Sequence, residues 1–416
     1  MNRLRILWLS HFVPYPPKGG CFQRSYNLIA QAGRRHDVHL IAMRPKAAAT
    51  PDADAEARAA LLRHCRSVTL LDISAATRPA PLARRALSSA LTGRSLTVTL
   101  FESPEMRRLV RDAQASADVV HLDSISLAGY LPDVEGRPTL MTHHGAESFM
   151  IRRRIGNERS LVRKAFFAAE WLTLRRAERL ACPRVGVNVV MSALDGEIMQ
   201  AIAPASYRVV ENGVDVDFFQ PLPLVDGHSL VFAGRLDQYS NRDGILHFMD
   251  AAWPLLTARY PEARITIVGS NPPERLRELA SVDPRIEVTG FVDDVRPYFA
   301  RATAALCPIR DGGGTRIKVL DALAQGKPLI ATSIGCEGLE VVPDRDVLIG
   351  DTPEAFAAQV GRVFDDAALR ASLARQGREL VERVYAWEIP GGKLAALYED
   401  LARPAASSPQ PAEAAS

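Results

Sequence analysis

The strongest chemical signal in the sequence is a run of glycines, Gly312–Gly314, which lies between a short apolar run and a helical pattern. We call this run the glycine loop. If Thr315 caps the helix, Arg316 and Lys318 fall in its first turn, where each cation opposes the helix dipole. Free backbone N–H groups at a helix N-terminus attract anions, so a bound phosphate would explain both cations. The alternative is an ordinary glycine turn with surface charges.

A carboxylate follows the same loop. Asp321 lies one helical turn beyond Lys318 and could reach a sugar hydroxyl, as ribose recognition usually requires. Gly326 and Pro328 supply stop signals for the helix, and residues 329–332 predict another buried strand. The loop, its cations and this carboxylate together favour a nucleotide as the ligand.

Glycines and histidines occupy two further loops after predicted strands. Gly19 and Gly20 permit close approach of a ligand to the backbone, although an ordinary turn is the alternative. His143 and His144 end the strand-like run Thr139–Thr142. We expect one of these histidines to donate or accept a hydrogen bond at a site, because a metal site would need more ligands at suitable spacing.

An arginine follows the first predicted strand of the second half. Gly234 and Arg235 come directly after residues 230–233, and an arginine at the end of a strand can pair with phosphate through two hydrogen bonds. A surface arginine is the alternative. The turn Asn212–Asp215 follows another strand, and by itself it is interpreted as structural.

Strand-like apolar runs that alternate with amphipathic helical segments position these loops. This alternation is typical of parallel sheets flanked by helices, and it restarts after a proline-containing linker near Asp217–Gly227. We therefore predict an α/β fold of two Rossmann-like, doubly wound domains, residues 1–217 and 228–384, that face a cleft. The alanine-, serine- and proline-rich residues 403–416 are predicted to be a disordered tail.

Composition and charge narrow the class of protein. The 416 residues suffice for two domains, and no apolar stretch approaches the roughly 20 residues that span a bilayer. Five scattered cysteines predict free thiols in a reducing compartment, and the apolar N-terminus is interpreted as a strand rather than a signal peptide, so we expect a cytoplasmic protein.

Met1–Pro221 carries 30 Lys and Arg against 21 Asp and Glu, whereas the remainder carries 21 against 27. The basic half should meet an anionic partner, but no motif indicates nucleic acid.

The strongest concentration of positive charge lies in residues 151–180. This segment predicts one long helix or two, and it carries nine Lys and Arg against three Glu, with apolar residues near helical spacing. A basic amphipathic helix can lie on an anionic membrane surface, such as the inner face of a bacterial plasma membrane. The alternative is a domain helix with a solvated basic face.

Taken together, these motifs resemble the retaining glycosyltransferases of family 4, which have the GT-B fold. The similarity runs from Ile6 to about Leu401, and its most specific piece is GGGTRIKVLDALAQGKPLIAT. Other matching pieces are NGVDVDFFQP, FAGRL, ITIVGS, GFVDDV and YAWEIPGGKLAALYEDL. The last piece is similar to the helix that crosses back to the N-terminal domain, here residues 385–402.

The resemblance implies a nucleotide-sugar donor and a lipid-linked or glycan acceptor. Arg235 matches the arginine that contacts the donor phosphates, Asp321 stands where a glutamate binds ribose, and His144 matches the histidine near the transferred sugar. Gly19 and Gly20 match a glycine loop near the phosphates. The other predicted donor-binding residues lie in the loops that end the strands of the second half: Gly234, Gly312, Gly313, Gly314, Thr315, Arg316 and Lys318. His144, Arg235 and Lys318 are the predicted catalytic residues.

The sequence departs from the family pattern at two places. Gly313 occupies the position of the first glutamate of the E-x7-E motif, and the lysine expected after FAGRL is absent. Arg242, Arg316 or Lys318 could replace the charge of that lysine. No metal or other cofactor is expected, because cations would take the place of a metal. The departures are shared in outline with a subgroup tied to bacterial exopolysaccharide synthesis. A GT-B sugar-nucleotide epimerase and a non-catalytic binding partner of a polysaccharide synthesis complex are the alternatives.

Overall fold

The computed structural model describes residues 3–45, 50–73, 89, 92–158 and 160–403. The strands, numbered along the chain, are β1 (Arg5–Ser10), β2 (Asp37–Pro45), β3 (Ser67–Ile73), β4 (Val119–Leu122), β5 (Thr139–Thr142), β6 (Val187–Val190), β7 (Tyr207–Val209), β8 (Ser229–Ala233), β9 (Arg264–Val268), β10 (Ile286–Gly290), β11 (Ala304–Cys307), β12 (Leu329–Ala331) and β13 (Leu348–Ile349). They form a seven-stranded sheet in the order β3-β2-β1-β4-β5-β6-β7 and a six-stranded sheet in the order β10-β9-β8-β11-β12-β13.

Helices connect the strands in both halves. They are α1 (Gly20–Arg35), α2 (Pro51–Leu62), α3 (Leu96–Thr99), α4 (Pro104–Gln114), α5 (Glu147–Asn157), α6 (Leu161–Ala181), α7 (Ala193–Ile202), α8 (Tyr239–His247), α9 (Trp253–Arg259), α10 (Glu274–Val282), α11 (Arg296–Ala300), α12 (Ile317–Ala324), α13 (Pro353–Asp365), α14 (Ala367–Leu380) and α15 (Glu388–Ala402). Shorter 3₁₀ segments are Ile125–Val134, Cys182–Arg184 and Ile334–Cys336, and π-helical turns are Phe248–Ala252 and Val381–Tyr385.

Each sheet is buried on both faces, because successive strand residues point to opposite sides. In β1, Leu7 and Leu9 join one hydrophobic cluster, whereas Ile6 and Trp8 join the cluster on the other face. Neighbouring strands pair in parallel throughout both sheets. The predicted α/β class with two doubly wound parallel sheets is therefore confirmed.

The last helix packs on the first sheet although it follows the second. In α15, Gly391 lies against Gln31 of α1, and an added Cβ at Gly391 would be 2.5 Å from the Gln31 Cβ. Tyr398 is fully buried, and its hydroxyl lies 2.5 Å from Nδ1 of His121 in β4. The residue boundaries proposed for the two domains stay a prediction, as does the tail, of which residues 404–416 lie outside the described residues.

The basic segment 151–180 forms parts of two helices, α5 and α6, rather than one. The buried face of α6 differs from the apolar stripe that the sequence suggests, because it includes two glutamates that cap other helices. Glu170 accepts hydrogen bonds from Leu96 N (2.9 Å) and Thr97 N (3.0 Å), and Glu178 accepts one from Ser148 N (3.0 Å). Arg159, one of the nine basic residues, lies outside the described part of the chain.

Candidate active site

Each sheet reverses its strand order at one point, and such a point opens a crevice at the carboxyl ends of the strands. The reversal lies between β1 and β4 in the first sheet and between β8 and β11 in the second. The loop after β11 holds the glycine loop, and a Cβ at Gly314 would lie 3.5 Å from the carbonyl oxygen of His144, which follows β5. The two crevices therefore meet in one candidate site.

The glycine loop has a shape that side chains would not tolerate. Gly312 and Gly314 have φ angles of +112° and +75°, which L-residues adopt only with strain. At Gly313 an added Cβ would lie 2.7 Å from Cγ of Met150, a residue of α5 in the other domain. Met150 thus occupies the space that a glutamate at position 313 would need, which gives a physical reason for the departure from the family motif.

Helix α12 begins one residue later than the sequence suggests. Thr315 is not the N-cap, because the cap is Arg316 and the first helical residue is Ile317. The Thr315 hydroxyl instead accepts a hydrogen bond from Asn212 Nδ2 at 2.6 Å, and Asn212 Oδ1 accepts one from Arg24 Nη1 at 3.0 Å. The turn that the sequence marks as structural therefore connects the glycine loop to buried Arg24 in the first domain.

Arg316 lies under the glycine loop with part of its guanidinium free. Nη1 donates to the carbonyl oxygen of Gly313 at 2.6 Å. Nε and Nη2 are buried and make no hydrogen bond with the residues that the structure describes. Burial lowers the pKa of this guanidinium, which opposes but does not remove its charge. Burying two donor nitrogens without acceptors costs folding free energy, so a ligand that accepts hydrogen bonds from them would explain their position.

Lys318 and Asp321 point from the same helix into a poorly solvated space. The Lys318 amine donates to Asn241 Oδ1 at 2.6 Å, lies 4.6 Å from the Phe232 ring centre and contacts Gly234. Burial lowers the pKa of Lys318 to about 8 and raises the pKa of Asp321 to about 7. Asp321 Oδ1 is buried without a hydrogen-bond partner in the described chain. It can therefore accept a hydrogen bond from a hydroxyl group.

Arg235 is less available than the sequence suggests. Its guanidinium pairs with Asp237 through two contacts, at 3.2 Å and 2.6 Å, while half of the side chain stays exposed. A phosphate would have to share this guanidinium with Asp237 or displace that carboxylate. Asp237 lies two residues from Arg235 in the same loop, but no motif in the sequence marks it as a partner.

The two predicted histidines have different environments. His143 is buried and its Nε2 lies 3.1 Å from Asn188 Oδ1, so it belongs to the domain interior. His144 is partly exposed, and its Nε2 lies 3.2 Å from Oδ1 of Asp123, which follows β4. Sequence reasoning missed Asp123, and also Glu147, whose carboxyl lies 3.4 Å from the Ser124 hydroxyl. The polar residues directly after β4 could have indicated this edge of the sheet.

One arginine joins the domains beside the glycine loop. Arg153 of α5 donates to the Gly312 carbonyl oxygen at 2.9 Å and to both Glu337 oxygens at 2.7 Å. Lys18 lies 3.5 Å from Asp293 across the same boundary, near the predicted Gly19 and Gly20, and Gly19 has a φ angle of +96°. An added Cβ would meet nothing within 4 Å at Gly19 or Gly20, so this loop leaves open space for a ligand.

Within the described ranges, no group of three or more His, Cys, Asp or Glu side chains could hold a metal ion. No helix in that part of the chain is long and apolar enough to cross a membrane. The expectation that no metal is required stays a prediction.

Both halves of the chain are similar to known glycosyltransferases. Residues 18–218 match the family described as "Glycosyltransferase Family 4", and residues 227–366 match "Glycosyl transferases group 1". A phosphatidyl-myo-inositol mannosyltransferase of Mycolicibacterium smegmatis is 31% identical over 202 residues, which are 46% of this chain and 51% of that protein. A GDP-mannose:cellobiosyl-diphosphopolyprenol alpha-mannosyltransferase of Xanthomonas campestris is 28% identical over 284 residues, 62% of this chain and 69% of that protein. The match thus spans about half the length of the first relative.

Solved structures share the architecture at low sequence identity. Sucrose-phosphate synthase of Thermosynechococcus elongatus superposes with a TM-score of 0.69 at 18% identity and covers 96% of this chain and 99% of its own. Anabaena HepE in complex with UDP superposes with a TM-score of 0.67 at 13% identity and covers 95% and 100%. These similarities confirm the predicted GT-B architecture.

Proposed function

We propose that this chain, which belongs to the glycosyltransferases of family 4, transfers a sugar from a nucleotide-sugar donor to an acceptor hydroxyl with retention of configuration. The observation that carries the proposal is the convergence of Arg316, Lys318 and Asp321 around the glycine loop. Two unpartnered guanidinium nitrogens and a buried amine suit a diphosphate, and the free carboxylate oxygen suits a ribose hydroxyl.

The same groups would stabilise the leaving group. Negative charge develops on the diphosphate when the bond to the sugar breaks, and fixed donors in a poorly solvated site stabilise such charge most effectively. Arg316 and Lys318 would supply this charge together with the backbone N–H groups of the glycine loop, so no metal ion is needed. Arg235 would join them once a phosphate replaced Asp237. Attack from the same face as the leaving phosphate would retain the configuration without a covalent intermediate on a protein side chain.

GDP-mannose is the first donor to test. Curated relatives that carry mannosyltransferase names support this choice, and two of those names specify GDP-mannose. The names of two of these same relatives include a lipid, phosphatidyl-myo-inositol or a diphosphopolyprenol, so we propose a lipid-linked or glycan acceptor used in cell-surface polysaccharide synthesis. The matching family models and the names of the relatives favour transfer over a GT-B epimerase, and a non-catalytic binding partner is an outcome of the test below.

We also propose that α6 contacts an anionic membrane surface at the inner face of the plasma membrane. Its first turn exposes 81% of Leu161 and 81% of Val162, and Leu172 is 59% exposed. Arg152 and Arg175 stack on Trp171 near the same helix. Exposed apolar side chains bordered by arginines are the composition that binds the boundary between headgroups and acyl chains.

Donor binding is tested by thermal denaturation with a panel of nucleotide sugars, followed by turnover assays. A donor at about 100 times its Kd should stabilise the folded protein by about 2.7 kcal/mol. The variant Arg316→Ala should lose this response, whereas Arg301→Ala, which removes an exposed arginine paired with Glu287, should keep it. Binding without turnover would support the non-catalytic alternative, and a flat response to every donor would contradict the proposed donor site.

Membrane contact is tested by co-sedimentation with vesicles. Vesicles that contain phosphatidylglycerol should bind the protein, and vesicles of pure phosphatidylcholine should not. Replacing Leu161 and Val162 by serine should reduce binding at least several-fold. The matched control is Val282→Ser, because Val282 is 79% exposed on the other domain. Equal binding by the double variant and the wild type would reject this surface.

A further inference from the structure

Three parallel strands end beside a carboxylate that the predicted site does not include. Asp123 follows β4 and is 1% exposed, and its backbone N–H donates to the Leu9 carbonyl oxygen of β1 at 2.9 Å. The carboxylate is thus fixed at the β1–β4 crevice. Its nearest ionisable partner in the described chain is His144 at the end of β5, with Nε2 at 3.2 Å from Oδ1.

Other ionisable groups face this carboxylate, but most are already engaged or resist protonation. Burial lowers the pKa of His121 to about 3 and that of His11 to about 4. Arg24 donates to two backbone carbonyl oxygens and to Asn212. Burial raises the pKa of Cys21 to about 11 and that of Tyr398 well above its ordinary value, and it raises the pKa of Glu147, which faces His144, to about 7.

His144 is the ionisable side chain that directly contacts the Asp123 carboxylate. Burial opposes ionisation of Asp123, yet His144 and its other neighbours hold the pKa of the carboxyl below its ordinary value. A buried anion is costly without a partner, so the contact with the imidazole is expected to persist. Neither ring nitrogen of His144 makes an aligned hydrogen bond with a described residue, which leaves Nδ1 for a ligand.

We propose that Asp123 is a positioning residue that acts through His144. Its carboxylate orients the imidazole, so that the side chain of His144 is held beside the glycine loop, where a sugar hydroxyl could reach its second nitrogen. This inference rests on the proposed transferase function for its catalytic consequence, but the Asp123–His144 contact can be tested without activity.

The contact is tested by a double-mutant cycle in urea unfolding of the full chain, with Asp123→Asn, His144→Gln and the double variant. The fall in the unfolding midpoint of the double variant should be smaller than the sum of the two single falls, because residues in contact are coupled. Additive falls overturn the proposal, whether or not the protein is a transferase.

The consequence for catalysis is tested with the nucleotide sugar that the wild type turns over. Asp123→Asn should lower kcat at least tenfold, while KM for the donor should stay within about twofold of the wild-type value. The matched control is Asp133→Asn, which removes another buried carboxylate, paired with Arg107 and Arg111, outside the candidate site. Equal loss in both variants overturns the proposal. If the wild type turns over no donor, the proposed function fails and the double-mutant cycle alone decides the contact.

Discussion

Replacing Asp321 by asparagine should stabilise the unliganded protein and weaken its binding to the donor. Burial raises the pKa of Asp321 from 3.8 to about 7, so the folded protein holds this proton across a range in which the unfolded chain has lost it. The stability of the wild type therefore falls as pH rises through that window. At about 1.36 kcal/mol per pH unit, the full cost of the ionised carboxyl is about 4 kcal/mol.

Two features reduce the effect that an experiment would measure. The Asp321 side chain is only partly buried by area, and the charge of Lys318 offsets some of the cost. We therefore expect the stability gained by Asp321→Asn to grow by about 2 kcal/mol between pH 5 and pH 8, which corresponds to about 4–8 °C in Tm for a domain of this size. Donor affinity at pH 8 should fall about tenfold or more, because a hydrogen bond to a charged group is lost.

Calorimetric unfolding at the two pH values measures the first effect, and titration calorimetry with the donor measures the second. Comparing the two pH values cancels any packing change that the asparagine causes. The control is Asp346→Asn, since Asp346 is buried but paired with Arg345, and losing a paired carboxylate should give no gain that grows with pH. A stability change for Asp321→Asn that is the same at pH 5 and pH 8 would refute the reasoning.

Other perturbations test the neighbours of this carboxylate. In Gly234→Ala the added Cβ would meet the Lys318 amine, so donor affinity measured by titration calorimetry should fall at least fivefold. The control is Gly156→Ala, where an added Cβ meets nothing within 4 Å and donor affinity should stay unchanged. Asn212→Ala removes the buried partner of the Thr315 hydroxyl and should cost about 1–3 kcal/mol in urea unfolding; no loss would mean that water replaces it. Donor turnover should fall above about pH 8 as Lys318, whose pKa burial lowers to about 8, loses its proton, and a flat profile up to pH 9.5 would contradict this role.

The fold could be predicted because its signal is local and repeated. Residues 139–142 form a strand at the predicted bounds, since a short run of β-branched and apolar residues between polar turns has few other structures available. Helix caps were harder to place. Thr315 has the side chain of a good N-cap, but its hydroxyl binds Asn212 from the other side of the site, so α12 starts after Arg316.

The site could be predicted only where one loop carries it. Arg316, Lys318 and Asp321 lie within six residues of each other and were all singled out. Asp123 and Glu337 were not predicted, because their contacts are made with residues far away in sequence. Asp123 contacts His144, 21 residues away, and Glu337 contacts Arg153, 184 residues away. The pairing of Arg235 with Asp237 could not be predicted either, since the sequence does not determine which of several nearby charges a flexible arginine contacts.

Contacts between residues far apart in sequence explain why the first glutamate of the E-x7-E motif is absent. Met150 packs where a side chain at Gly313 would lie, and Arg153 of the same helix holds the Gly312 carbonyl oxygen. Helix α5 therefore shapes the glycine loop from the opposite domain, and a residue at 313 cannot reach a sugar without displacing it. Introducing the family glutamate should consequently separate the domains at this point rather than restore a sugar contact. Gly313→Glu with Met150→Ala, which clears the space, is the variant in which such a contact could form, and the single substitution should reduce donor turnover more than the double one does.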